Sequence, residues 1–146
     1  MPDTIASVAF EGLIAQQLRA WLHYRQGDTE LFFWRTRGGA EVDFVLYGDL
    51  GLVAIEAKYS ARVRSEDLRH LKAFKADYPE ATCNLIYAGS ERLLIEDILC
   101  LPVEEFLQAL RRLSCSHSEC KLGDGRVLVL VDVPQRSSAV RKARAG

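Results

Sequence analysis

The chain has no long apolar run, no excess of charge of either sign and few cysteines. No apolar stretch reaches the ~20 residues that a helix needs to cross a bilayer, so no membrane span is expected. The N-terminal MPDTIASVAF lacks the basic-then-apolar layout of a secretory leader, and a cytoplasmic protein is the default expectation. Nineteen Lys and Arg against twenty Asp and Glu leave a net charge of −1. That balance excludes a uniformly basic nucleic-acid coat and an acidic tail protein. Four cysteines are sparse for a disulfide scaffold. Cys83 and Cys100 stand in apolar runs and read as small core residues. The stretch Cys115-Ser-His117-Ser-Glu-Cys120 has no CxxC pair and supplies one soft ligand too few for a structural zinc site, so it reads as a polar segment. No GxxxxGK[ST] phosphate loop and no internal repeat occur.

What remains is one domain's worth of chain. Its 146 residues, 49% hydrophobic and 27% charged, suit a globular fold with a real core rather than a disordered one. Residues 5–25 read as a helix, with Phe10, Leu13, Ile14, Gln17, Leu18, Trp21 and Leu22 at helical spacing. Residues 31–37, 41–47 and 52–59 read as strands separated by the turns at Gly38-Gly39 and Gly48–Gly51. Three strands joined by short turns make an antiparallel meander. Ser65 is expected to cap a helix running to Asp77, with Leu68, Leu71 and Phe74 inward and Tyr78-Pro79 as its stop. A buried strand over 82–88 and a helix over 103–113 follow. The expected order is α-β-β-β-α-β-α, a mixed α/β (α+β) sheet with helices packed on it. Residues 1–113 form the expected domain. Residues 114–134 read as an irregular segment plus an added strand over 126–133 (RVLVLVDV), and 135–146 as a disordered basic tail.

Chemistry concentrates in 41–58. Asp43 lies in one apolar strand and Glu56-Ala57-Lys58 in the next, where charges are expensive unless paired, exposed or metal-bound. Residues i and i+2 of a strand share a face, so Glu56 and Lys58 point the same way. A symmetric hairpin about the turn would set Asp43 opposite Glu56 and Glu41 opposite Lys58, with Cβ atoms ~5 Å apart. Two carboxylates that close repel, and a hard divalent cation relieves the repulsion. A lysine beside it can orient or deprotonate water or offset phosphate charge. Glu11, on the core-directed side of the first helix, either joins the site or serves the helix dipole. The competing reading of Asp43, Glu56 and Lys58 is a cross-strand salt-bridge network on a solvated sheet face. Glu41 with Lys58 reads as a simple ion pair. Phe32, Phe33 and Trp34 read as core rather than base-stacking platforms.

Asp43 followed by Glu56-Ala57-Lys58 resembles the D…ExK signature of the PD-(D/E)XK nuclease superfamily. The run FFWRTRGGAEVDFVLYGDLGLVAIEAKYS is similar to the uncharacterised C-terminal domain that follows an AAA-type ATPase domain in bacterial and archaeal proteins; a version without the ATPase domain is expected, since no phosphate-loop motif occurs in these residues. The resemblance covers about residues 8–110. It implies a restriction-endonuclease-like core, metal-binding acids at Asp43 and Glu56, a catalytic lysine at Lys58 and an auxiliary acid at Glu11. The implied activity is Mg²⁺- or Mn²⁺-dependent hydrolysis of DNA phosphodiester bonds. Arg35, Arg37, Arg62, Arg64, Arg69 and Lys72 gather positive charge near the motif and are the expected nucleic-acid contacts, with an ordinary solvated helix face as the alternative. The contrasting function is a non-catalytic module of the same fold that binds nucleic acid, a separate ATPase partner or a second copy as a homodimer.

Overall fold

A computed structural model of the chain describes residues 3–25 and 27–114. The expected strand over 126–133, the tail over 135–146, the rest of 115–134 and the Cys115/His117/Cys120 cluster lie outside those residues. The elements are α1 (Asp3–Arg25), β1 (Glu30–Arg35), β2 (Glu41–Gly48), β3 (Gly51–Lys58), a 3-10 turn (Ser65–Leu68), α2 (Arg69–Asp77), β4 (Thr82–Tyr87), β5 (Leu93–Ile95), β6 (Ile98–Pro102) and α3 (Val103–Ser114). The strands form one sheet in the order β1-β2-β3-β4-β6-β5. β1, β2 and β3 pair antiparallel, as a meander should. β4 joins β3 in parallel after the α2 crossover, and β6 joins β4 in parallel. The fold is mixed α+β.

The central strand explains why both sheet faces carry helices. Leu52, Val53, Ala54 and Ile55 of β3 are all fully buried. Leu52 and Ala54 pack with Leu68, Leu71 and Phe74 on the α2 side. Val53 and Ile55 pack with Ile14 and Leu18 of α1 and Phe106 of α3 on the other side. A strand apolar on both faces needs a layer on each, and the 3-residue spacing of Leu68, Leu71 and Phe74 supplies one of them. Continuing the alternation, Glu56 and Lys58 follow Leu52 and Ala54 onto the α2 face.

Four expectations need correction. β5 and β6 form a hairpin over a segment where no strand was expected. Its turn uses Glu96 and Asp97 at φ +48° and +67°, so the glycine that usually marks such a turn is missing. Ser65 is not a helix cap: the Asp67 carboxylate accepts the Arg64 N–H at 2.8 Å, and Ser65 opens the 3-10 turn. Leu13 lies beside the buried stripe Phe10, Ile14, Leu18, Trp21 and is 41% exposed. Trp34 is buried against Phe74, edge to face with centroids 5.2 Å apart, but Phe33 is 62% exposed and is not core.

Candidate active site

The β2–β3 hairpin places the motif. Its pairs run from Gly48↔Gly51 to Phe44↔Ile55, the register of a symmetric turn. Asp43 and Glu56 come one step later, where the ladder stops. The cause lies on the other side of β2. Phe32 pairs with Val45 and Trp34 with Val42, so Asp43 and Phe44 together oppose the single residue Phe33. This is a β-bulge, which bends its strand and re-aims side chains. Val42 and Val45 both join the α2-side core, while Phe44 joins the α1 side. Asp43 leaves the ladder, and its Oδ2 accepts the Ala57 N–H at 2.9 Å. The carboxylate thus takes the place of a strand carbonyl and is tied to the residue after Glu56.

Glu56 is short of partners. Its side chain is 16% exposed, and Oε1 lies 3.5 Å from His70 Nδ1 at the start of α2. Oε2 is buried with no hydrogen-bond partner. Burial, then the charge of Asp43, push the Glu56 carboxyl up to about 8, and Lys58 offsets part of this. Burial also raises Asp43; the Ala57 N–H works against it, Glu41 adds to it and His70 opposes it. Burial raises Glu11, with Asp43 and Glu41 adding to the shift, which couples α1 electrostatically to the motif. A charge removed from water without a compensating partner favours its neutral form.

Lys58 does not pair with Glu41. Its Nζ lies 3.5 Å from Oδ1 of Asp67. Glu41 instead meets Arg35, its cross-strand partner on β1, at 3.2 Å. The bulge is the reason: β2 stops pairing with β3 before the expected Glu41–Lys58 step is reached.

On the α1 side of the hairpin a cleft of about 450 Å³ is lined by Glu11, Arg19, Phe33, Arg35, Glu41 and Asp43. Of the expected nucleic-acid contacts, Arg35 alone lines this cleft. Arg64 meets Glu66 at 3.5 Å, Lys72 pairs with Glu96, and Arg69 approaches His70 Nε2 at 3.5 Å. Arg37 and Arg62 are exposed, in the β1–β2 turn and after β3. The expected set is therefore spread over two faces rather than gathered at one.

Three residues of the site escaped the sequence reading. Arg19 follows Glu11 by eight residues with Ala15 between, one stripe of α1, and that spacing could have revealed it. His70 and Asp67 reach the motif only because α2 packs on its strand face, and no local pattern marks them.

No curated protein matches the chain. A family model described as a domain of unknown function, DUF4143, matches residues 8–106. The matched span contains Glu11, Asp43, Glu56, Lys58, Asp67 and His70. The chain therefore belongs to the DUF4143 family, a domain of unknown function.

Proposed function

We propose that the domain is a metal-dependent nuclease with a restriction-endonuclease-like core that hydrolyses DNA phosphodiester bonds. The observation that carries the reading is the Asp43–Glu56 pair: two half-buried carboxylates at the end of one hairpin, with Glu56 Oε2 buried and unpartnered. Such a pair is disfavoured in the free chain and suits a hard cation. Among the described residues no three His, Cys, Asp or Glu side chains are grouped so as to hold a metal. Two carboxylates fit Mg²⁺ or Mn²⁺ better than zinc, because Mg²⁺ commonly takes one or two carboxylates and completes its shell with water and phosphate oxygens.

The bound cation would supply Lewis-acid charge beside the scissile phosphate and a more acidic water. Asp43 and Glu56 would hold it, and Glu56 would give up its proton to do so. Lys58, on the same face as Glu56, would orient the attacking water or offset charge on the pentavalent phosphorus. Asp67 lies 3.5 Å from the Lys58 ammonium, and His70 lies 3.5 Å from the Glu56 carboxylate. Arg62, Arg64, Arg69 and Lys72 would neutralise backbone phosphates on approach.

A second reading, a non-catalytic module binding nucleic acid, an ATPase partner or a second copy, has its own support. Asp43 also serves as a strand acceptor and Lys58 also has a carboxylate partner, so part of the motif has a structural job. Calorimetric titration of Mn²⁺ with a short DNA duplex present, together with a cleavage assay, separates the two. The Asp43→Asn/Glu56→Gln variant keeps the Ala57 acceptor and should lose cation binding. Lys58→Ala should bind the cation and cut at least ~100-fold more slowly. Cation binding that survives the double substitution, or a wild-type chain that cuts no nucleic acid with either metal, rejects the nuclease reading.

A further inference from the structure

We propose that the cleft between α1 and β1 is a subsite for one unpaired nucleotide, with its base stacked on Phe33 and its phosphate held by Arg19 and Arg35. The inference rests on the nuclease reading and narrows its substrate to strands with unpaired ends, loops or flaps.

The argument starts from Phe33. Single exposed apolar residues are ordinary, so exposure alone decides nothing. Phe33, however, is 62% exposed between a half-buried Phe32 and a buried Trp34. It is the residue that faces the bulge, so the distortion that re-aims Asp43 and the exposure of this ring share one position. Phe33 lines the same cleft as Asp43, together with two arginines from different elements, Arg19 of α1 and Arg35 of β1. Arg35 has 68% of its side chain exposed while it meets Glu41, and it can turn to a phosphate at little cost.

The size and charge of the cleft select the ligand. A volume of about 450 Å³ is that of a small-molecule pocket and holds a single nucleotide. A base inside a duplex is covered on both faces by its neighbours, whereas an unpaired base offers a face for a ring to stack on. Three carboxylates against two guanidiniums leave the lining net acidic, counted from Glu11, Glu41 and Asp43 against Arg19 and Arg35. A phosphate therefore enters with a cation rather than alone, and Asp43 is the one residue of the Asp43–Glu56 pair that lines this cleft.

Binding can be read without cleavage. Fluorescence anisotropy in the Lys58→Ala background with Mn²⁺ would compare a single-stranded oligothymidylate with a duplex of equal length. Single-strand binding tighter than duplex binding is expected. Phe33→Ala should weaken it about 5- to 100-fold, the loss of one base–aromatic stack, and Phe33→Trp should restore it. Arg19→Ala and Arg35→Ala should each lower the salt dependence by about one counterion. Phe33 is exposed, so its replacement should leave the melting temperature unchanged. Equal affinity of Phe33→Ala and parent, duplex preference, or no single-strand binding overturns the proposal. Phe33-dependent binding by a wild-type chain that never cuts would sink the nuclease reading and leave the subsite standing. Duplex cleavage indifferent to Phe33 would do the reverse.

Discussion

The β2–β3 hairpin carries carboxylates at both ends, and the two ends treat them in opposite ways. At the turn, Asp49 receives a fork of two bonds from Arg25, 2.9 Å to Oδ1 and 2.7 Å to Oδ2. The Thr29 hydroxyl donates to the same carboxylate, and the Asp49 N–H donates to Asp28 at 2.8 Å. The Arg25 guanidinium holds the Asp49 carboxyl well below the usual carboxylate range. Arg25 is itself seated over the Trp21 ring, 5.4 Å from its centroid. At the open end Asp43 has one backbone N–H, and Glu56 has a distant His70 and an orphaned oxygen. Both of those groups are pushed up. One hairpin thus holds a carboxylate that is well compensated, at its turn, and a pair that is not, at its open end. The first clamps α1 to the turn. The second is a pair of carboxylates short of partners.

The two ends respond to pH with opposite sign. Glu56 has a folded value of about 8 against an ordinary 4.5, so the fold favours its neutral form. The stability tied to that neutral form is complete below pH 4.5 and is lost as pH rises through about 8. Asp43 shifts in the same direction and adds to the trend. Asp49 is depressed below its ordinary 3.8, so its contribution is present above that value and is lost on further acidification.

The largest way to break this contrast is Glu56→Gln. In the absence of divalent metal it should raise stability at pH 8 by about 3–4 kcal/mol and leave it unchanged near pH 4. Urea unfolding at a series of pH values checks this, and parallel curves for variant and wild type would refute it. Arg25→Ala attacks the compensated end. It should cost about 1–2 kcal/mol at pH 7, the low end for a broken ion pair because Asp49 is 41% exposed. The deficit should shrink as Asp49 becomes protonated, and cation affinity should stay as in wild type. Thr29→Val is the finest test. Losing one hydroxyl while the Arg25 fork remains should cost at most ~1 kcal/mol, seen as a small drop in melting temperature. A loss as large as that of Arg25→Ala would show that the hydroxyl, not the guanidinium, holds Asp49.

Much of the hairpin was legible because its signals are local. The glycines at 48 and 51 set a two-residue turn, and the symmetric register that follows runs to Phe44↔Ile55, one step short of Asp43 and Glu56. The alternation of β3 put Glu56 and Lys58 on one face. The bulge was not legible. It depends on how β1 meets β2 around Phe33, a pairing between residues about ten apart with nothing unusual in either strand alone. That bulge is why Glu41 goes to Arg35 and why the ladder ends before Lys58. The β5–β6 hairpin was missed for a simpler reason: Glu96 and Asp97 occupy left-handed positions where glycine or asparagine is the usual marker.

By itself the sequence determined the element periods, the three-strand meander, the doubly apolar central strand and the spacing of Asp43, Glu56 and Lys58. These follow from side-chain alternation and turn chemistry within short windows. The tertiary structure decided which charges find partners. The 3-10 turn brings Asp67 to Lys58, α2 brings His70 to Glu56, α1 brings Glu11 and Arg19 to the cleft, and no described residue hydrogen-bonds Glu56 Oε2. Burial and partner supply depend on which element packs over a strand, and they separate a carboxylate that holds the fold together from one left without a full set of partners.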